Sequence, residues 1–126
     1  FSKRLDSREK HLSRLSCADL LIDTFNYNGH STSFDALWSG LPVITVLGES
    51  FSARVSASLL TSLNLTELIA HNIYEYEDII LELATNKKKL NEIKNKLLES
   101  KQNSNLFDSN KYTKDLDNIL KKLIKP

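Results

Sequence analysis

A run of small polar residues in the first third of the chain has the types and spacing best suited to chemistry. Residues 28–33 read Asn-Gly-His-Ser-Thr-Ser, after an apolar strand-like run and before a helical pattern. Free backbone N–H groups at such a helix start, with hydroxyl side chains and the positive end of the helix dipole, form an anion site that suits phosphate. We therefore predict that His30, Ser31 and Thr32 bind a phosphate-bearing ligand.

Further side chains could contact the same ligand. Asp35, one helical turn onward, could accept hydrogen bonds from ribose hydroxyls, or it could be a solvent-facing acid that the dipole favours. His11 could stack on a base or be a partly buried structural residue, and Arg8 precedes it by three residues on the same helix face. The His30 ring could bond a ligand or only its own loop. The residues alone leave these alternatives open.

Other chemical motifs are missing from the sequence or have a structural interpretation. One cysteine and three histidines fit no zinc-ligand spacing, and no Gly-rich dinucleotide, Walker or nucleophile-elbow motif occurs. We expect no metal site. Cys17 is expected to be a small core residue. Glu49 and Arg54 lie at the carboxyl end of the predicted sheet, where open α/β folds bind ligands, but an ion pair between the two is favoured.

Apolar periodicity indicates the elements that position these residues. Strands alternate with helices, which favours an α/β fold with a parallel sheet. The predicted strands are Asp19–Thr24, Val43–Val46 and Thr66–Ala70, the first of them buried because its apolar residues are continuous. The first predicted helices are Arg8–Leu15 with a cap at Asp6 or Ser7, about Ser31–Ser39 ended by Gly40, and one with the apolar face Phe51, Val55, Leu59 and Leu63.

The rest of the chain, from about residue 73, predicts amphipathic helices. Their apolar faces are Tyr76, Ile79, Ile80 and Leu83, then Leu90, Ile93, Leu97 and Leu98, then Tyr112, Leu116, Ile119, Leu120 and Leu123. We expect these helices to pack over the sheet or to cross to a neighbouring domain. A parallel sheet of only three strands covers itself poorly. Further strands are therefore expected before Phe1, in a longer protein.

Composition fits one soluble domain. The 126 residues are 40% hydrophobic and 26% charged, with no apolar run near the length of a membrane span and no signal-peptide pattern. A lone cysteine fits a reducing compartment, so a cytoplasmic protein without membrane contact is expected. Residues 86–126 hold 11 Lys against 5 acids. These lysines alternate with apolar helical positions, which favours a solvated face over nucleic-acid binding.

A longer match indicates a family. The residues Asn28-Gly29-His30-Ser31-Thr32-Ser33-Phe34-Asp35, with Leu37–Val43, Gly48–Ser50 and Ser52–Val55 after them, resemble the C-terminal catalytic half of the O-GlcNAc transferases, including SPINDLY-like proteins. The resemblance implies a partial Rossmann-like parallel sheet with helices, the C-terminal portion of a GT-B glycosyltransferase. It assigns residues 1–126 to the nucleotide-sugar-binding domain, with a helical C-terminal segment from about residue 73.

The resemblance also implies roles for the candidate residues. His30, Ser31 and Thr32 fall where the family binds the diphosphate of UDP, and Asp35 falls where it holds the ribose. Arg8 and His11 fall beside the uridine, although the family usually has lysine at the first of these positions. Ser33 stands where a glycine is common, a change expected to leave the turn intact. No catalytic residue is expected in this chain, because the family's phosphate-contacting lysine and acceptor-side histidines would precede Phe1.

The implied activity is transfer of N-acetylglucosamine from UDP-GlcNAc to Ser or Thr of a protein, without metal or cofactor. The donor sugar nucleotide and, through the missing half, a protein acceptor are the implied partners. Two alternatives remain open: a UDP-sugar epimerase of the same architecture, and a non-catalytic protein-interaction module. The chain alone is expected to be inactive, and a dimer of it is possible through an uncovered apolar surface.

Overall fold

The strands form one parallel sheet in the order in which they occur in the chain. The computed structural model describes residues 3 and 5–124. The strands are β1 (Leu21–Ile22), β2 (Val43–Val46) and β3 (Ile69–Ala70). Strand β1 pairs with the first half of β2 and β3 pairs with its second half, both in parallel. The parallel α/β prediction is therefore confirmed, with β2 in the middle.

The helices occupy most of the remaining described residues. They are α1 (Arg8–Leu15), α2 (His30–Trp38), α3 (Val55–Ser62), α4 (Ile73–Thr85), α5 (Lys87–Asn103) and α6 (Ser109–Ile124). Short 3-10 turns precede α3, β3 and α6, at Phe51–Ala53, Thr66–Leu68 and Asn105–Phe107. Side chains cap four of the described helices, α1, α4, α5 and α6, whose first-turn N–H groups donate to Ser7, Asn72, Asn86 and Asp108. Helix α2 instead begins after Gly29 and has no side-chain cap.

The core lies around β2 and explains why that strand was predicted to the residue. Val43 and Ile44 are fully buried, and α2 contributes the buried Leu37 from one side. Helix α4 contacts both β2 and β3, and α5 packs on α4. Burial of apolar area contributes roughly 25 cal/mol per Å², so this cluster fixes α2 relative to the sheet.

The C-terminal end of α2 is held by α5. Gly40 adopts a left-handed backbone conformation, φ +82°, which ends the helix as predicted because glycine enters this region without steric cost. The Lys101 ammonium donates to the carbonyl of Trp38 and lies 4.7 Å from the centroid of its ring. Partial burial lowers the pKa of Lys101. A cation at a helix C-terminus interacts favourably with its dipole.

Strands β1 and β3 are shorter than predicted. Asp19–Thr24 was expected to be a buried strand, but only two residues pair with β2 and Ile22 is 57% exposed. Among the described residues β1 packs one face on the core, so its continuous apolar run did not indicate burial on both faces. The predicted strand over Thr66–Ala70 is reduced to β3, because its first three residues form a 3-10 turn.

The predicted apolar face of α3 was wrong at its start but is confirmed at its end, where Leu63 is buried. Phe51 lies in the preceding 3-10 turn and is 83% exposed. That turn shifts the register, so the buried side of α3 begins with the small residues Ser56 and Ala57. Val55 and Leu59 line a surface groove of about 790 Å³ between α3 and β3.

One further expectation about packing was wrong, and another is met by only part of the C-terminal segment. Cys17 is exposed rather than in the core, because α1 ends at Leu15 and the chain turns there. Of the C-terminal helices, α4 packs on the sheet as expected. The amphipathic face of α6 is exposed along its whole length, so α6 does not pack over the sheet; its members are Tyr112, Leu116, Ile119, Leu120 and Leu123. That α6 crosses to a neighbouring domain stays a prediction. Within the described part of the chain, no helix is long and apolar enough to cross a membrane.

Candidate functional site

The first turn of α2 leaves its backbone donors open. The N–H groups of His30, Ser31 and Thr32 have no hydrogen-bond acceptor among the described residues. The side chains of Ser31 and Thr32 are exposed beside them. Because Gly29 provides no side-chain cap, nothing in this turn competes with a ligand for these donors. The first turn of α2 therefore has three N–H groups and two hydroxyls at the positive end of a helix, the groups that the predicted anion site requires; ligand binding there stays a prediction.

The His30 ring is fixed on one side of this turn. It stacks on Tyr27, with 4.7 Å between ring centroids and 9° between planes, and Phe51 meets it edge-on at 6.2 Å. Its Nε2 lies 3.4 Å from the carbonyl of Ser52 and donates to it when Nε2 carries the proton. The ring thus packs within its own loop, while the backbone N–H of the same residue has no acceptor among the described residues.

Asp35 and Arg8 meet at the contact between α1 and α2. Arg8 Nη2 donates to Asp35 Oδ1 at 3.0 Å. The Asp35 carboxylate is 20% exposed, and its Oδ2 has no hydrogen-bond partner in the described part of the chain. Since α2 begins at His30, Asp35 belongs to the second turn of the helix, not the first. A first-turn acid favoured by the dipole therefore does not explain this residue.

His11 does not join Arg8 as a pair. It is half-buried, and its Nδ1 lies 3.2 Å from Arg14 Nη2, which donates to it. Arg8 and His11 were expected to frame a ligand together, but each has its own partner: Arg8 contacts Asp35 on α2, and His11 contacts Arg14 on α1.

A buried polar network behind the turn was missed by the sequence analysis. Asp23 is 6% exposed and Asn28 is 1% exposed. Asp23 Oδ1 accepts the Gly29 N–H at 2.7 Å, and Oδ2 accepts the Thr45 hydroxyl at 2.9 Å. Buried polar groups need such partners, since burying them unpaired is costly. A polar residue directly after a continuous apolar run, and another inside β2, were the signals in the sequence.

The network extends to three helices. Asn28 Oδ1 accepts the Ser56 N–H of α3 at 3.3 Å, and the Ser56 hydroxyl donates to Ser33 Oγ of α2 at 2.9 Å. The Tyr76 hydroxyl of α4 donates to the Asp23 carbonyl at 2.6 Å. Burial, and to a lesser extent the negative charge of Asp23, raises the pKa of Tyr76 to about 12. The Ser33 hydroxyl has a buried partner, so a serine fits at this position.

The amino-acid sequence of this chain also matches known proteins. The sequence model of glycosyl transferase family 41 matches residues 1–116. The chain belongs to this family. It is 36% identical over 114 residues to a UDP-N-acetylglucosamine–peptide N-acetylglucosaminyltransferase of Caenorhabditis elegans, and 36% identical over 111 residues to a probable enzyme of the same name, SEC, of Arabidopsis thaliana. It covers 10% and 11% of the length of these two relatives.

A solved structure shares the fold. A Thermobaculum terrenum O-GlcNAc transferase mutant superposes with a TM-score of 0.85 and 30% sequence identity. The match covers 92% of this chain and 22% of that one. The α/β architecture expected from the resemblance to family 41 is thereby confirmed.

Of the remaining predictions for this family 41 chain, the structure contradicts the ion pair between Glu49 and Arg54. Glu49 and Arg54 form no ion pair among the described residues, because Arg54 Nη1 donates instead to the carbonyl of Gly48 at 3.0 Å. No group of three or more metal-ligating side chains is found in residues 3 and 5–124. Several lysines of α5 pair with carboxylates, as on a solvated helix face; they are Lys88, Lys89, Lys94 and Lys96.

Proposed function

We propose that this chain supplies the UDP-binding part of the donor site in an enzyme that transfers N-acetylglucosamine from UDP-GlcNAc to Ser or Thr hydroxyls of proteins. The observation that carries the proposal is the open N-terminus of α2, whose His30, Ser31 and Thr32 N–H groups have no acceptor in the described chain. The names of the family 41 relatives, which are peptide N-acetylglucosaminyltransferases, support it.

Each part of UDP has a matching group in this arrangement. The diphosphate accepts hydrogen bonds from the N–H groups and hydroxyls at the start of α2. The ribose diol donates to Asp35 Oδ2, while Oδ1 keeps its contact with Arg8. Arg8 and His11 lie on α1 and would flank the uracil. One carboxylate can serve both partners because it has two acceptor oxygens.

The proposed chemistry is displacement at the anomeric carbon of the donor sugar. The acceptor hydroxyl forms the new C–O bond as the bond to the diphosphate breaks, and negative charge builds on the leaving UDP. Helix N–H groups fixed before the reaction stabilise that charge, typically by about 2.7–4 kcal/mol for one donor in an oxyanion-type site. Because these donors take up the charge, we propose that no metal ion is required.

No residue of this chain is assigned as the base that activates the acceptor. The chain covers about a tenth of its curated relatives, and we propose that acceptor positioning is supplied by other parts of such an enzyme. An epimerase of the same architecture would share the diphosphate site. Transfer of the sugar to a peptide, measured on the complete enzyme, separates the two functions.

Titration of the chain with UDP and with uridine tests the donor-site proposal. We expect UDP to bind with a dissociation constant in about the millimolar range, near −4 kcal/mol. Uridine lacks the diphosphate and is expected to bind at least about tenfold more weakly, a difference of 1.4 kcal/mol. Added salt should weaken the binding of UDP more than the binding of uridine, because salt screens interactions between exposed charges. Equal affinities for the two ligands would contradict an anion site at α2.

A further inference from the structure

A buried carboxylate lies directly behind the open N–H groups of α2. Asp23 follows β1, and the described chain places no cation against it. Its oxygens are instead satisfied by two neutral donors, the Gly29 N–H at 2.7 Å and the Thr45 hydroxyl at 2.9 Å. Burying a carboxylate is costly unless such bonds are well formed. The site therefore holds a charge that contributes no ligand contact itself, since Asp23 is only 6% exposed.

The charge of Asp23 sets the direction of the whole network. A carboxylate only accepts hydrogen bonds, whereas a threonine hydroxyl has one proton to donate. Because that proton goes to Asp23, Thr45 Oγ1 is left to accept from Asn28 Nδ2 at 3.3 Å. Asn28 Nδ2 also donates to the Thr24 carbonyl at 2.9 Å, so Asn28 Oδ1 faces the Ser56 N–H. Each donor in the series has one orientation as a result.

We infer that Asp23 is a positioning residue for the anion site. By holding the Gly29 N–H toward the sheet, it fixes the residue that precedes α2 and aims the next three N–H groups, at His30, Ser31 and Thr32, away from the sheet toward a diphosphate. The inference rests on the proposed function. It goes beyond that function by assigning the geometry of the site to a residue that does not touch the ligand.

An amide does not reproduce the hydrogen bonds of this carboxylate. Asparagine at position 23 could accept from Gly29 with its oxygen, but its NH₂ group would then face Thr45 Oγ1, and the Thr45 hydroxyl proton would lose its acceptor. Turning the amide over would place NH₂ against the Gly29 N–H. Either arrangement leaves one donor without its acceptor, the Thr45 hydroxyl in the first and the Gly29 N–H in the second, so Asp23→Asn should loosen the turn while changing almost no volume.

The test compares Asp23→Asn with Asp19→Asn, titrating each with UDP and with uridine. Asp19 is a matched control, since it precedes the same strand, its side chain is 78% exposed, and it pairs with Lys94 at 2.8 Å. Both changes remove one negative charge, which by itself would favour an anion. We expect Asp23→Asn to lower UDP affinity by about tenfold and uridine affinity by less than about twofold. Asp19→Asn should leave both affinities within about twofold of the parent protein.

Each other outcome overturns the inference in a recognisable way. Unchanged or higher UDP affinity in Asp23→Asn shows that the carboxylate does not position the site. Equal losses for UDP and uridine show a general loosening of the fold. If the parent protein itself does not prefer UDP to uridine, the proposed function fails and the inference fails with it. If circular dichroism shows Asp23→Asn unfolded, Thr45→Val is measured instead, with an expected fall of about threefold for UDP alone.

Discussion

Replacing Gly48 with alanine is expected to destabilise the protein by about 3 kcal/mol, the upper end for overpacking a well-packed site. A Cβ at Gly48 would lie 2.4 Å from the Cβ of Ala53 and 3.2 Å from its carbonyl oxygen. Neither atom can move alone, because the Gly48 N–H donates to that carbonyl at 3.0 Å. Chemical denaturation of the parent protein and the variant measures the free energy of unfolding.

The pair of residues offers its own control. Gly48→Ala combined with Ala53→Gly removes the Cβ–Cβ collision and should recover at least about half of the lost stability, whereas Ala53→Gly alone should cost no more than about 1 kcal/mol. A double variant as unstable as Gly48→Ala would show that the collision is not the cause. Gly48→Ala alone should also weaken the binding of UDP, because the displaced turn carries Ser52, whose carbonyl accepts the Asn28 N–H at 2.9 Å.

Asp35→Asn should have the largest effect on ligand affinity with a nearly unchanged fold. Loss of a hydrogen bond from a ribose hydroxyl to a carboxylate costs about 1.5–3 kcal/mol, which corresponds to roughly 10- to 150-fold weaker UDP binding. Its ion pair with Arg8 is worth at most about 1 kcal/mol, since the Arg8 side chain is 68% exposed. Titration with UDP and thermal unfolding, measured on the same samples, separate the two effects.

Asp78→Asn is the matched control for this prediction. Asp78 is an exposed acid of α4. Its replacement by asparagine should change the UDP affinity by less than about twofold and the free energy of unfolding by less than about 0.5 kcal/mol. If Asp35→Asn binds UDP as the parent does, or if it loses stability without losing affinity, then Asp35 is a partner of Arg8 and not a ribose ligand.

The sequence predicted those elements whose surroundings are uniform. Strand β2 is buried on both sides, so its apolar run gave its bounds to the residue. The start of α2 was close to its prediction because the residues from Gly29 onward have strong positional preferences at helix ends. These preferences are also why the first turn of α2 was the part of the candidate site that the sequence could predict.

The remaining features depend on contacts between distant residues. The 3-10 turn at Phe51–Ala53 breaks the helical period, so a four-residue spacing continued across it wrongly placed Phe51 on the buried face of α3. The predicted bounds of strand β1 were too long, because hydrophobic periodicity does not show how many neighbouring strands or helices a strand packs against. The network at Asp23 joins residues 6, 22 and 53 positions away in the chain. No local pattern contains those pairings, although a polar residue within an apolar segment marks where one begins.

The central claim, a UDP diphosphate bound at the N-terminus of α2, is tested most directly by backbone amide resonances during titration of the chain. We predict that UDP shifts the N–H resonances of His30, Ser31 and Thr32, whose donors are open in this structure, and that uridine at the same concentration leaves them nearly unchanged. The Gly29 resonance should move less, because its N–H is already bonded to Asp23. Shifts confined to residues 86–126, or equal shifts with UDP and uridine at the start of α2, would contradict the claim.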